Sequence, residues 1–211
     1  MAGKIVAISQ QKGGSGKTTL AAHIAVSLAR VHRVAVLDVD PQGSLGEWYE
    51  TREQRLGEAH TGLGFRTASG WGAKREARAL ARDYDIVVID TPPKSDLDAR
   101  YAIEAANLVT VPIQPTPVDL WASEATLKMI EKEGREALFV LNRVPSRSAM
   151  TTQMIEAIHA LGPVAIAQLG NRVAFAASMG EGRTAVETAP ASKAGEEAIA
   201  VAEEVFKRLD V

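Results

Sequence analysis

The sequence predicts an α/β fold: a doubly wound, mostly parallel sheet with helices on both faces. Three observations carry this prediction. Short β-rich runs alternate with longer runs of helical periodicity along the chain. Most of the short runs are apolar throughout rather than alternating, as strands covered on both faces require. A glycine-rich loop follows the first short run and opens onto a helical pattern, which places a ligand site beyond the strands' carboxyl ends.

Taken in order, Ile5–Ser9 is a bounded apolar run of strand length, and Lys17–Val31 is the first helical pattern after the glycine-rich loop. Arg33–Asp38 is a second strand, closed by an Asp-Pro turn, and Gly43–Gly57 a second helix. Gly57–Gly72 is rich in Gly and Thr and reads as a loop-heavy excursion with a weak strand at Gly64–Thr67. Ala73–Arg82 is helical, Asp85–Asp90 a strand, Leu97–Ala106 helical and Leu108–Ile113 a strand. The prolines between Pro112 and Asp119 fix a rigid turn, either at the ligand side or as a plain connector with Asp119 as helix cap, before a helix at Leu120–Glu133. Trp121 beside it reads as an interface anchor or as core. Ala137–Asn142 is a strand, Thr151–Leu161 a helix, Val164–Gln168 a weak strand and Lys193–Leu209 a terminal helix. No repeat, low-complexity tract or long linker interrupts the chain, so residues 1–211 read as a single domain.

Composition narrows the chemistry. The 211 residues carry 24 Lys+Arg and 26 Asp+Glu, a formal net charge of −2, so any nucleic-acid contact needs a local patch. Cysteine is absent, which removes disulfides, thiolate metal sites and cysteine nucleophiles, and fits a cytoplasmic location. The four histidines show no metal-ligand spacing. No apolar stretch approaches the roughly 18 residues of a membrane span, and no targeting segment is visible.

The phosphate signal lies in Gln11-Lys12-Gly13-Gly14-Ser15-Gly16-Lys17-Thr18-Thr19. Three glycines let backbone N–H groups converge on phosphate oxygens, and the following helix adds its N-terminal dipole. Lys17 is placed to reach the terminal phosphates, and the Thr18 hydroxyl to hold Mg²⁺. The usual pattern begins with Gly, and position 11 is Gln, so the loop is a variant. Asp90, at a strand end, can hold Mg²⁺ through water, and Asp40 can order a metal-bound or attacking water. Asp38 reads as a supporting or structural residue on the same strand face.

These motifs resemble the ParA/MinD superfamily of deviant Walker A ATPases. Lys12 through Thr19 is similar to the deviant Walker A motif, Asp38-Val39-Asp40-Pro41-Gln42-Gly43 to the family's second motif, and Val88 through Pro93 to its Walker B segment. The Arg172–Glu187 stretch is similar to the late segment of ParA-type partition ATPases, and the short length resembles the small ParA branch. The resemblance implies ATP and Mg²⁺ as cofactors and slow ATP hydrolysis as the activity. It implies that Lys12 crosses a nucleotide-sandwich homodimer to the partner's phosphates, that Asp40 assists hydrolysis, and that Asn142 and Arg143 read or cover adenine. It further implies nonspecific DNA as a partner of the ATP-bound dimer, association with the nucleoid, and a ParB-type or other cargo adaptor that stimulates hydrolysis. The cargo would be a plasmid, a chromosome or a protein body.

Two branches are excluded by the absent cysteine: nitrogenase iron protein and the iron–sulfur carriers. A MinD-like membrane cycle is the first alternative. The polar face of the terminal helix is mainly acidic, so no stable membrane anchor is expected there. A metabolic P-loop ligase of the same fold is the second alternative. For DNA, Lys74, Arg78 and Arg82 recur every four residues on one helix face. Arg143, Arg147, Arg172 and Arg183 form a later set, and the sequence does not rank the two.

Overall fold

The computed structural model describes residues 2–93, 96–146 and 149–209. Strands β1 (Lys4–Ile8), β2 (Val34–Asp38), β3 (Gly64–Thr67), β4 (Ile86–Asp90), β5 (Leu108–Ile113) and β6 (Glu136–Leu141) form one sheet in the order β3-β2-β4-β1-β5-β6. Every pairing is parallel. The Val/Ile-rich runs explain this, since β1, β2, β4 and β5 are buried almost throughout.

Helices α1 (Lys17–Leu28), α2 (Ser44–Leu56), α7 (Val173–Met179), α8 (Ala185–Thr188) and α9 (Lys193–Leu209) share a core with Val6, Ile8, Val36 and Val88 on one sheet face. Helices α3 (Gly72–Asp83), α4 (Asp96–Ala105), α5 (Pro117–Lys132) and α6 (Ala149–Leu161) cover Ala7, Leu37, Ile89 and Val109 on the other. Strand register places Ile8, Asp38 and Asp90 level at the carboxyl edge. By strand alternation both aspartates face the α1 side.

Four expectations change. Within Val164–Gln168 only Val164 makes an isolated bridge, to Phe139, and the next bridge, to Val144, belongs to Gly170. The N–H groups of Ile166 and Ala167 instead donate to the Glu204 carboxylate of α9, both at 2.8 Å, which draws the chain off the sheet edge. Helix α5 begins at Pro117 with Thr116 as its cap, not Asp119, because the Thr116 hydroxyl accepts the Asp119 N–H. Trp121 is exposed and is not core. Helices α7 and α8 lie in a stretch where the sequence predicts no helix. Short helices of this kind are stabilised by tertiary contacts rather than by periodicity.

The apolar face of α9 is buried: Ala198, Val201, Ala202, Val205 and Leu209 pack into the core shared with α1. Among the described residues no helix is long and apolar enough to cross a membrane.

His23 ties α1 to α8. Its Nδ1 donates to the Thr19 carbonyl at 2.8 Å, and its Nε2 accepts the Ala185 N–H at 3.0 Å. Burial pushes its pKa down to about 4, so the folded imidazole is neutral. An unfolded chain binds a proton near 6.5 and the folded one does not, so stability is lost as pH falls from 6.5 towards 4. The wild type is expected to lose up to about 3 kcal/mol more across that window than His23→Gln. Urea midpoints measured at several pH values check this; a constant difference between the two proteins contradicts it.

Candidate functional site

The loop between β1 and α1 is shaped by glycine. Gly14 and Gly16 take φ of 74° and 92°, a left-handed conformation that L side chains rarely adopt. A Cβ on Gly16 would stand 2.3 Å from the Asn142 amide nitrogen. That nitrogen donates to the Ser15 carbonyl at 2.8 Å, so the end of β6 braces the loop from below. The Asn142 carboxamide oxygen accepts the Arg143 N–H at 2.9 Å. Arg143 itself has φ 50° and is exposed. Beside it opens a recess of about 360 Å³ lined by Gly170, Asn171, Arg172 and Phe175. Asn142 and Arg143 are therefore together, as expected, but the amide of Asn142 is already engaged by the loop.

Lys17 and Thr18 begin α1. Lys17 is buried, its ammonium 3.5 Å from the Lys12 carbonyl, and burial lowers its pKa against the opposing pull of Asp90 and Asp40. The Thr18 hydroxyl donates to Asp90 Oδ2 at 2.6 Å. Asp90 is fully buried, burial pushes its pKa up to about 7, and its Oδ1 has no hydrogen-bond partner. An orphaned carboxylate oxygen beside a threonine hydroxyl is a hard-oxygen donor pair that fits Mg²⁺. Asp40 sits in the next turn, its Oδ1 accepting the Gln42 N–H at 2.9 Å. Asp38 is structural: its carboxylate accepts N–H groups of Asp40 at 3.0 Å and Gly46 at 2.9 Å, which fixes that turn. A cavity of about 660 Å³ opens over Gly14, Lys17, Thr18, Asp40 and Gln42 and extends to Met179 at the end of α7 and Gly180 beyond it. Gly13, Gly14, Ser15, Gly16 and Thr19 thus share one concave surface or its immediate loop.

Lys12 lies at the loop's rim, and its ammonium donates to Asp119 Oδ2 at 2.5 Å. Asp119 is buried, also accepts the Thr116 hydroxyl at 2.5 Å, and leaves its Oδ1 unpartnered. The seam continues along α5. Gln10 Nε2 donates to the Ser123 hydroxyl, the Thr126 hydroxyl donates to Gln10 Oε1, and the Gln11 N–H donates to the Thr126 hydroxyl. Sequence reasoning missed this seam. Its signal is the spacing of Asp119, Ser123 and Thr126, one polar stripe at helical period.

The cationic candidates fall into different surroundings. Lys74 pairs with Glu104. Arg172 makes a bidentate pair with Glu197 at 2.6 and 2.8 Å, and Arg183 donates to the Glu187 carbonyl at 2.8 Å. Arg78 and Arg82 have no ion pair among the described residues. Arg147 lies outside the described residues. Also among the described residues, no cluster of three or more His, Asp or Glu is placed to hold a metal ion, so an ion here would need the Thr18 hydroxyl and a ligand's own oxygens.

Gly16→Ala combines a strained φ with a clash against Asn142. It is expected to weaken phosphate-ligand binding at least about a hundredfold, from a backbone cost of about 1–3 kcal/mol plus lost loop geometry. Calorimetric titration with ADP checks this; unchanged affinity contradicts the loop geometry.

Comparison with known proteins bears on the family and the fold. Residues 6–185 match the family model described as the CobQ/CobB/MinD/ParA nucleotide binding domain. The chain is 32% identical to maintenance of carboxysome distribution protein A from Halothiobacillus neapolitanus, over 84% of each chain. It is 29% identical to the chromosome-partitioning ATPase Soj from Thermus thermophilus, covering 97% of this chain and 96% of that one. Its fold matches a Cyanothece McdA variant solved with ATP, at TM-score 0.78 and 18% identity, over 98% of this chain and 97% of that chain. A glycine-shaped loop, an acidic strand end and a match spanning most of the chain lead to one assignment: the chain belongs to the CobQ/CobB/MinD/ParA family of nucleotide-binding domains.

Proposed function

We propose that this chain is a Mg²⁺-dependent, weakly active ATPase of a single domain, residues 1–211, whose ATP state forms a homodimer and positions a cargo on nonspecific DNA. The observation that carries the reading is Lys12. It stands at the rim of the phosphate loop rather than in its floor, and among the described residues Asp119 is the ion-pair partner of its ammonium. A rim lysine can leave that contact for an anion presented by a second copy.

The roles follow from placement. Thr18 and Asp90 would hold Mg²⁺, with Asp40 reaching it through water; the ion supplies charge neutralisation along the phosphates. Lys17 offsets negative charge at the terminal phosphate, and Asp40 orients the attacking water. Arg143 covers the base beside Asn142. The relative named for carboxysome distribution supports a protein body as one cargo class, and the Soj relative supports DNA as another. An adaptor protein on the cargo would stimulate hydrolysis and release the dimer. On this reading the protein works in the cytoplasm, on the nucleoid. The apolar face of α9 is buried against the core, so the contact a MinD-like membrane cycle needs is not supplied by that face. DNA affinity is expected to be weak and salt-sensitive, since Lys74, Arg172 and Arg183 are already engaged by protein oxygens.

A salt-titrated DNA-retention assay with ATP, with ADP and without nucleotide tests the reading. Retention with ATP alone is expected. Lys12→Ala should abolish that retention while nucleotide affinity stays within about threefold. Asp40→Ala should keep retention and slow hydrolysis about a hundredfold. DNA retention independent of nucleotide, or normal hydrolysis in both variants with partner present, contradicts the proposal. Turnover stimulated by a metabolite without DNA retention would instead favour a ligase.

A further inference from the structure

Helices α3 and α4 lie side by side on the sheet face opposite α1, and a recess of about 380 Å³ opens between their outer flanks. Trp71 forms one end of it and is 69% exposed, although an indole is among the side chains that gain most from burial. Tyr101 of α4 lines the recess opposite. Gly70, next to Trp71, donates its N–H to Asp98 of α4 at 2.7 Å, so the start of α3 is tied to the helix that follows the Asp90 strand.

The rim is cationic. Glu104 offsets Lys74, and Arg75, Arg78 and Arg82 carry no ion pair among the described residues. Spaced three and four residues apart, these three project along one side of α3. Guanidinium groups suit phosphate oxygens, and an open indole face suits a flat ring. A duplex presents its phosphates outward and keeps its base faces stacked inside, so it would meet the arginines and leave Trp71 unused. A single strand offers both groups at once. The volume lies within the range of small-ligand clefts, about 300–1,000 Å³, which suits an unstacked base better than a helical rod.

We propose that the α3–α4 recess docks single-stranded nucleic acid, with Trp71 stacking one base and Arg78 and Arg82 holding neighbouring phosphates. The proposal rests on the nucleic-acid part of the reading above and adds to it an aromatic contact and a strand preference.

The test compares a labelled oligo-dT strand with a labelled duplex of equal length, with and without ATP and Mg²⁺. The wild type is expected to bind the strand more tightly than the duplex. Trp71→Ala should weaken strand binding about tenfold and leave duplex binding unchanged, while Trp71→Phe keeps the preference. Arg78→Glu should weaken both forms. Unchanged ADP affinity in each variant shows that it is folded. Duplex binding in the ATP state with no strand preference, and no effect of Trp71→Ala, overturns this proposal and leaves ATP-gated DNA binding standing. No binding of either form in any nucleotide state overturns both. Displacement of the strand by poly-glutamate as effectively as by unlabelled strand shows a site for acidic peptides and also overturns it.

Discussion

Lys17, Asp38 and Asp90 are nearly sealed from solvent at one end of the sheet, and no ion pair joins them among the described residues. Burying such groups is costly unless their hydrogen-bonding capacity is met. Asp38 meets it with two backbone N–H groups, and Asp90 does so only in part, through Thr18. The fold tolerates the deficit because the loop and α1 are held from elsewhere. Asn142 braces Ser15, His23 links α1 to α8, and α9 packs along α1. The site is thus rigid before it is electrostatically complete. On the proposed reading, a divalent ion would partner the orphaned Asp90 oxygen and a phosphate chain the Lys17 ammonium.

Lys12 and Asp119 extend the same logic to a second element. Asp119 is buried and would be left with an unpaired charge, while Lys12 is partly exposed, so Lys12 would leave Asp119 only for a competing anion. Its departure would also disturb Thr116, which caps α5 and shares the Asp119 carboxylate. On the proposed reading, the state of the phosphate loop would thereby be coupled to the start of α5, where Val118 and Trp121 are exposed. A coupling of this kind moves a population only by the difference in contact energy between its two states. The buried carboxylate supplies that difference.

Much of this was legible in the sequence, for identifiable reasons. Strands β1, β2, β4 and β5 are continuous apolar runs, and the glycines at 14 and 16 mark backbone that only glycine adopts easily. Motif spacing and strand order in the sequence are what place Lys17, Thr18 and Asp90 at one edge, where the structure has them. The weak strand at Val164–Gln168 was misread because Glu204, far along the chain, takes its N–H groups. Asp119 was read as a possible cap because its place next to a proline turn hides a longer-range partner, Lys12. The α5 seam was hidden for a related reason: its three polar residues look like a solvated face until Gln10 is known to lie against them. Helices α7 and α8 are too short to carry a period, although Thr184 and Glu187 form a capping box visible in the sequence.

The central claim is that a triphosphate, and not a diphosphate, draws Lys12 from Asp119 to a second copy. Sedimentation velocity of the wild-type chain at fixed protein concentration tests this most directly, with ATP and Mg²⁺ under non-turnover conditions, with ADP and Mg²⁺, and without nucleotide. The account predicts a dimer with ATP and a monomer in the other two states. The same mass in all three states would contradict it.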